Sequence, residues 1–218
     1  MPGSGVPGSD LPGSDLPGSG LPGSGLPGSG LPNPGWGPLS GLPGNPLIWV
    51  LIISELLVFA AFFGVFAWQR VLDPVGFLAG QRYLEPLLGG LNTLVLLTSG
   101  LAAAMAVTQS QCPPHALRER RIRQWLALAA VLGMAFCLIK AVEYHLEFFT
   151  GPLPDSGNFF TFYIGLTGFH AAHVIFGLCL LGVAIWRPRA DTVETVCAFW
   201  HMVDLIWVLL YPLLYLVR

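Results

Sequence analysis

Residues 196–217 read VCAFWHMVDLIWVLLYPLLYLV, and this apolar stretch decides the class of fold. About 20 consecutive apolar residues are enough to cross a bilayer as an α-helix. The stretch nevertheless contains His201 and Asp204, which are three positions apart and therefore share one helix face. A carboxylate near the middle of a membrane helix costs roughly 2.5–3.5 kcal/mol on insertion scales. We therefore expect this face to be turned away from lipid, toward other helices.

The composition of the whole chain supports an all-α, polytopic membrane protein. Of 218 residues, 54% are hydrophobic and only 10% are charged, and the mean hydropathy is +0.67. Soluble domains carry about 25% charged residues. The net charge of −2 gives no reason to expect a nucleic-acid partner. The four cysteines form no CxxC pair, which argues against a disulfide framework or a thiolate metal site.

Four further apolar stretches are long enough to cross a membrane, at 46–68, 87–107, 125–149 and 159–186. Together with 196–217 they predict a bundle of five transmembrane helices, in a domain that covers residues 46–218. Residues 1–45 form a Pro/Gly/Ser-rich repeat instead. Because proline removes backbone donors and glycine raises the entropic cost of ordering, we expect a disordered tail there.

The arginines predict how the helices are oriented. The connections on the N-terminal side of the membrane contain six of them, namely Arg118, Arg120, Arg121, Arg123, Arg187 and Arg189. The opposite side has three: Arg70, Arg82 and Arg218. Because basic residues concentrate in cytoplasmic loops, the N-terminus is expected in the cytoplasm.

Ionisable residues recur within the predicted spans and predict a buried polar seam inside the bundle. They are Glu55, Lys140, Glu143, His170, His173, Glu194, His201 and Asp204. Lys140 and Glu143 are three positions apart on one face and can neutralise each other. We expect His170 and His173 to form the surface that faces His201 and Asp204, with Glu194 continuing that face.

Four interpretations of this seam are open from the residues alone. The side chains can satisfy one another between helices, or bind a lipid head group. They can relay protons through Glu55, His170, His173, Glu143 and Asp204, as in a small carrier or proton-conducting protein. A metal site could use His170 and His173 with Glu143 or Asp204, although one histidine pair is weak evidence for metal.

Two motifs carry a resemblance to a known family. Residues 167–177 read TGFHAAHVIFG and residues 199–207 read FWHMVDLIW. They resemble the GFHxxHVxxG and WHxxDxxW motifs in the last two helices of subunit III of the haem-copper oxidases. The membrane glutamate Glu55, the pair Glu143-Tyr144 and Glu194 match further family positions in the same order.

The resemblance implies a subunit III-like protein that is not an enzyme by itself. It would contain no cofactor, because haem and copper belong to the catalytic subunit I against which it packs. It would bind membrane phospholipids and support assembly and proton uptake in the inner membrane of a bacterium. The mitochondrial type has seven spans and holds lipid in a cleft beside its first two, which have no counterpart here. Five-span forms occur in bacterial quinol oxidases and among nitric oxide reductase accessory proteins, and the accessory E type is the most similar.

Overall fold

The computed structural model describes residues 46–113, 117–150 and 157–217, and all regular structure in these ranges is helical. Side chains are described for 48–113, 117–146 and 159–217. The expected disordered tail at 1–45 lies outside the described residues.

Six α-helices follow one another along the chain. They are α1 (Pro46–Leu72), α2 (Pro74–Gln81), α3 (Pro86–Gln111), α4 (Arg118–Thr150), α5 (Gly157–Trp186) and α6 (Ala190–Tyr211). A π-helical turn, Pro212–Leu216, continues α6. Within the described ranges, five of these helices are long and apolar enough to cross a membrane. This confirms the predicted all-α bundle of five transmembrane helices.

The helices differ from the predicted spans chiefly at their ends. The fourth helix starts at Arg118 rather than at residue 125, and the last starts at Ala190 rather than at residue 196. Hydropathy locates only the lipid-buried part of a helix, whereas hydrogen bonding continues into polar flanks. The short helix α2 was not predicted, although its signals are readable: Asp73 caps the helix by accepting from the Gly76 amide, and Pro74 follows at the first position.

Helix α6 is the most enclosed of the five spans. In its apolar window 56% of the residues are buried, compared with 17% in α1. Trp200 of α6 fits between two glycines, because a Cβ atom on Gly133 of α4 or Gly177 of α5 would approach its ring to 2.6 or 2.7 Å. The indole N–H donates to Ser99 Oγ of α3 at 3.1 Å. One side chain therefore fixes α6 against three neighbours.

Two further contacts set the lower-numbered helices against the C-terminal part of the chain. The Trp207 indole N–H donates to Thr93 Oγ1 of α3 at 3.0 Å. The Gln81 side-chain amide, at the end of α2, donates to the carbonyls of Leu214 and Val217 at 3.0 Å each. The Gln81 bonds hold the π-helical turn and Val217 on the bundle.

Candidate functional site

The ionisable residues predicted to form one seam are distributed over several separate places. One of them lies at the end of the bundle where α4 ends and α5 begins.

Lys140 and Glu143 form a buried ion pair, as their spacing predicts. Their side chains lie 3.0 Å apart and are only 3% and 5% exposed. The Lys140 ammonium also donates to the hydroxyls of Tyr163 and Tyr215, both at 2.8 Å. The Tyr215 hydroxyl in turn donates to Glu143 Oε1. Lys140, Glu143, Tyr163 and Tyr215 form what we call the lysine cluster, in which two tyrosine hydroxyls surround a charge pair and offset its desolvation.

Glu55 of α1 and His173 of α5 form a second pair, with Glu55 Oε2 3.1 Å from His173 Nε2. The other ring nitrogen, Nδ1, lies 2.8 Å from the carbonyl of Phe169. Because a carbonyl can only accept, Nδ1 carries a proton. The contact between Nε2 and Glu55 then requires one more proton, on the imidazole or on the carboxyl. Glu55 and His173 therefore form a polar pair that joins α1 to α5.

His170 is enclosed by aromatic rings rather than by polar groups. It is 1% exposed, and its ring is stacked 5.2 Å from that of Trp207 at an interplanar angle of 29°. The rings of Phe59 and Phe136 lie at interplanar angles of 71° and 82° to it. Neither of its ring nitrogens has a hydrogen-bond partner within the described part of the chain. This α5 imidazole therefore packs as a flat ring against α1, α4 and α6.

His201 and Asp204 do face the same way, but the expectation that they face His170 and His173 is wrong. They face α3, where a Cβ atom on Gly100 would lie 2.2 Å from Asp204 Oδ2 and 3.5 Å from His201 Nδ1. The spacing of two residues shows that they share a face, but not which neighbour covers it. Gly100 decides this, because only glycine leaves room for the carboxylate.

Glu194 lies seven residues before His201 and also faces α3, so it continues the face of that pair toward the start of α6. Its Oε1 accepts from the side-chain amide of Gln111 at 3.2 Å, at the end of the bundle where α3 ends and α6 begins. This contact crosslinks two helix ends near the surface.

These positions bear on the metal and relay interpretations. Among the described residues, no three His, Cys, Asp or Glu side chains are close enough to hold a metal ion. The set of His170, His173 and Glu143 or Asp204 is not brought together. His170, which has no polar partner within the described residues, does not connect the Glu55–His173 pair to the lysine cluster.

The tyrosines of the lysine cluster were missed from sequence. Tyr163, Thr167 and His170 follow one another on α5 at intervals of four and three residues, which places them on one face. Thr167 accepts from the Tyr144 hydroxyl and donates to the Tyr163 carbonyl. This polar stripe on α5 could have been recognised in the sequence. The position of Tyr215 beside Lys140, by contrast, depends on the π-helical turn.

Comparisons with known proteins agree with the resemblance drawn from the motifs. The family model described as cytochrome c oxidase subunit III matches residues 44–217. Cytochrome c oxidase subunit 3 of Synechocystis sp. is 30% identical over 179 residues, which covers 77% of this chain and 72% of that protein.

Two more relatives show the breadth of the match. Cytochrome c oxidase subunit 3 of Oryctolagus cuniculus is 34% identical over 184 residues, covering 76% of this chain and 66% of that protein. The probable cytochrome c oxidase subunit 3 of Rickettsia bellii is 30% identical over 197 residues, covering 77% and 66%. The chain belongs to the cytochrome c oxidase subunit III family, whose members are non-catalytic membrane subunits of haem-copper oxidases.

Proposed function

We propose that this protein packs directly against catalytic subunit I of a bacterial haem-copper oxidase and supports its assembly and sustained proton uptake. The observation that carries the proposal is the family match over residues 44–217. Within the membrane spans, Lys140 with Glu143 and Glu55 with His173 satisfy one another. Such internal pairing fits a supporting subunit better than a conducting one, because a relay needs an unbroken chain of polar groups.

The same proposal assigns haem and copper to the catalytic subunit and none to this chain. Of its histidines, His173 is paired with Glu55, and His170 packs on Trp207. We expect the purified chain to show no Soret band and less than about 0.1 copper or iron per chain. Metal near one per chain would contradict this assignment.

We also propose that the protein lies in the bacterial cytoplasmic membrane with its N-terminus in the cytoplasm. The six arginines between α3 and α4 and between α5 and α6 support this orientation. Arg120, Arg123 and Glu119 border a groove of about 490 Å³ whose wall includes the apolar Ala127 and Ile185. Glu119 lies 3.9 Å from Arg123, which leaves Arg120 above the apolar wall as the cation for an anionic phospholipid head group.

The named relatives are oxidase subunits, which favours an oxidase over a nitric oxide reductase as the host complex. The deciding experiment is to isolate the tagged catalytic subunit from cells with and without this chain. We expect the chain to copurify with a haem-copper oxidase. Its deletion should leave haem in the catalytic subunit but shorten the time over which turnover is sustained, and reintroducing the gene should restore it. Absence of the chain from the isolated complex would refute the proposal.

A further inference from the structure

A groove between α3 and α6 presents a polar pair at the middle of the membrane. The groove has a volume of about 410 Å³. His201 lies 11 residues, or roughly 17 Å at 1.5 Å per residue, from the start of α6, and about 30 Å of hydrocarbon is typical of a bilayer. The lining residues are otherwise apolar or small: Leu97, Gly100, Leu101, Ala104, Leu205 and Val208.

The polar pair in this groove is incompletely satisfied by the bundle. Asp204 is 6% exposed, and its Oδ1 has no hydrogen-bond partner within the described residues. Its Oδ2 is 3.9 Å from His201 Nδ1, which is longer than a hydrogen bond. The His201 side chain is 44% exposed, so its imidazole faces whatever lies outside the bundle. Lipid tails could offer it no hydrogen bond, and leaving such a group unpaired in hydrocarbon is costly.

The walls of the groove suit a helix. Gly100, over which the Asp204 carboxylate lies, and Ala104 are four residues apart on α3, and because neither side chain is larger than a methyl group, a second helix can approach this wall closely. Leu101 and Leu205, at 64% and 50% exposure, flank the opening. A second copy of this chain fits poorly, because a two-fold contact opposes each patch to itself and two concave grooves cannot fill each other.

We infer that this groove is the docking site for a transmembrane helix of the catalytic subunit, one that brings a hydrogen-bond donor side chain to His201. The donor would bond one ring nitrogen of His201, and the other nitrogen would carry its proton toward Asp204. The His201–Asp204 pair would then recognise a polar residue on the partner helix. This contact would fix the axial register between α6 and that helix. This inference rests on the proposed function, since it assumes the catalytic subunit as partner.

Site-specific photocrosslinking within the whole complex tests the inference. A photoreactive amino acid at Leu101 or Leu205 should form an adduct with the catalytic subunit, whereas one at Val131, which is 60% exposed on α4, should not. Adducts only with phospholipid, only with a second copy, or equally strong from position 131 would overturn the inference. If instead the unmodified chain does not copurify with the catalytic subunit, the proposed function itself fails, which is a different result.

Two substitutions add a second measurement. His201→Leu should lower the amount of chain recovered with the tagged catalytic subunit by roughly 3- to 20-fold, as expected for one interhelical hydrogen bond. Ala104→Leu should lower it by obstructing the groove without removing a polar group. Ala172→Leu, on an exposed position of α5, is the matched control and should change nothing. If both groove variants are recovered with the tagged catalytic subunit in the same amount as the wild-type chain, the inference is overturned.

Discussion

Substitutions at Lys140 and Glu143 test how much a buried charge pair contributes to the stability of a membrane bundle. Removing one member of a buried pair typically destabilises a protein by about 3–5 kcal/mol, because the other charge is left uncompensated. We therefore expect Lys140→Met alone to lower the free energy of unfolding strongly. Lys140→Met combined with Glu143→Leu should cost clearly less than the sum of the two single substitutions. Unfolding in mixed micelles by SDS titration measures all three variants.

The exposed pair Glu119 and Arg123 provides the control for this cycle. Their charged atoms are 3.9 Å apart, and the side chains are 75% and 51% exposed. Such a pair contributes at most about 0.5 kcal/mol on a helix. A coupling energy at Lys140 and Glu143 no larger than this control would contradict the assignment of a buried charge pair.

The glycines that enclose Trp200 permit a test of how this side chain packs. A methyl group on Gly133 would lie 2.6 Å from Trp200 Cη2, so Gly133→Ala must displace the ring or separate α4 from α6. Overpacking of this kind costs about 1–3 kcal/mol. Gly165→Ala is the matched control, because nothing lies within 4 Å of a Cβ atom there. Unfolding measurements should separate the two alanine variants, and equal stabilities would show that the Trp200 packing is wrong.

At the scale of elements, Gln81 holds the π-helical turn against the bundle. Gln81→Leu removes both donors to the carbonyls of Leu214 and Val217. Hydrogen bonds of this kind are worth about 0.5–1.5 kcal/mol each. Local opening of residues 212–217 should therefore become roughly 5- to 100-fold more frequent, which hydrogen exchange monitored by mass spectrometry can measure. Gln124→Leu, at an exposed position on α4, is the control and should leave exchange at this segment unchanged.

The positions of the transmembrane helices along the chain could be predicted from the sequence. Which faces of these helices contact one another could not. Long apolar stretches identify spans because a bilayer has a fixed thickness. The spacing of Lys140 and Glu143 identified a pair because both groups are on one helix. By contrast, the neighbour of Asp204 depends on Gly100, and the arrival of Tyr215 at Lys140 depends on a local π-helical turn. Such contacts arise from tertiary packing, which periodicity along one helix does not encode.

At the scale of the whole molecule, the arginine distribution predicts which ends of the helices face the cytoplasm. In a variant that retains only Cys112, at the end of α3, an impermeant maleimide should label the chain only after the membrane is opened. With Tyr83→Cys as the only cysteine, between α2 and α3, labelling should occur from outside intact spheroplasts. The reverse pattern would invert the topology and move the N-terminus to the periplasmic side.

The bonds between Gln81 and the final turn join segments that leave the ribosome far apart in time. The two contacts span 133 and 136 residues of chain. Until residues 214–217 have been synthesised, the Gln81 amide has none of these acceptors, and Tyr215 has not reached Lys140. A premature stop shortly before residue 212 would yield a chain with all its long hydrophobic segments inserted but with both anchors missing. The end of α6 in such a chain would fray more readily, which exposes it to membrane proteases.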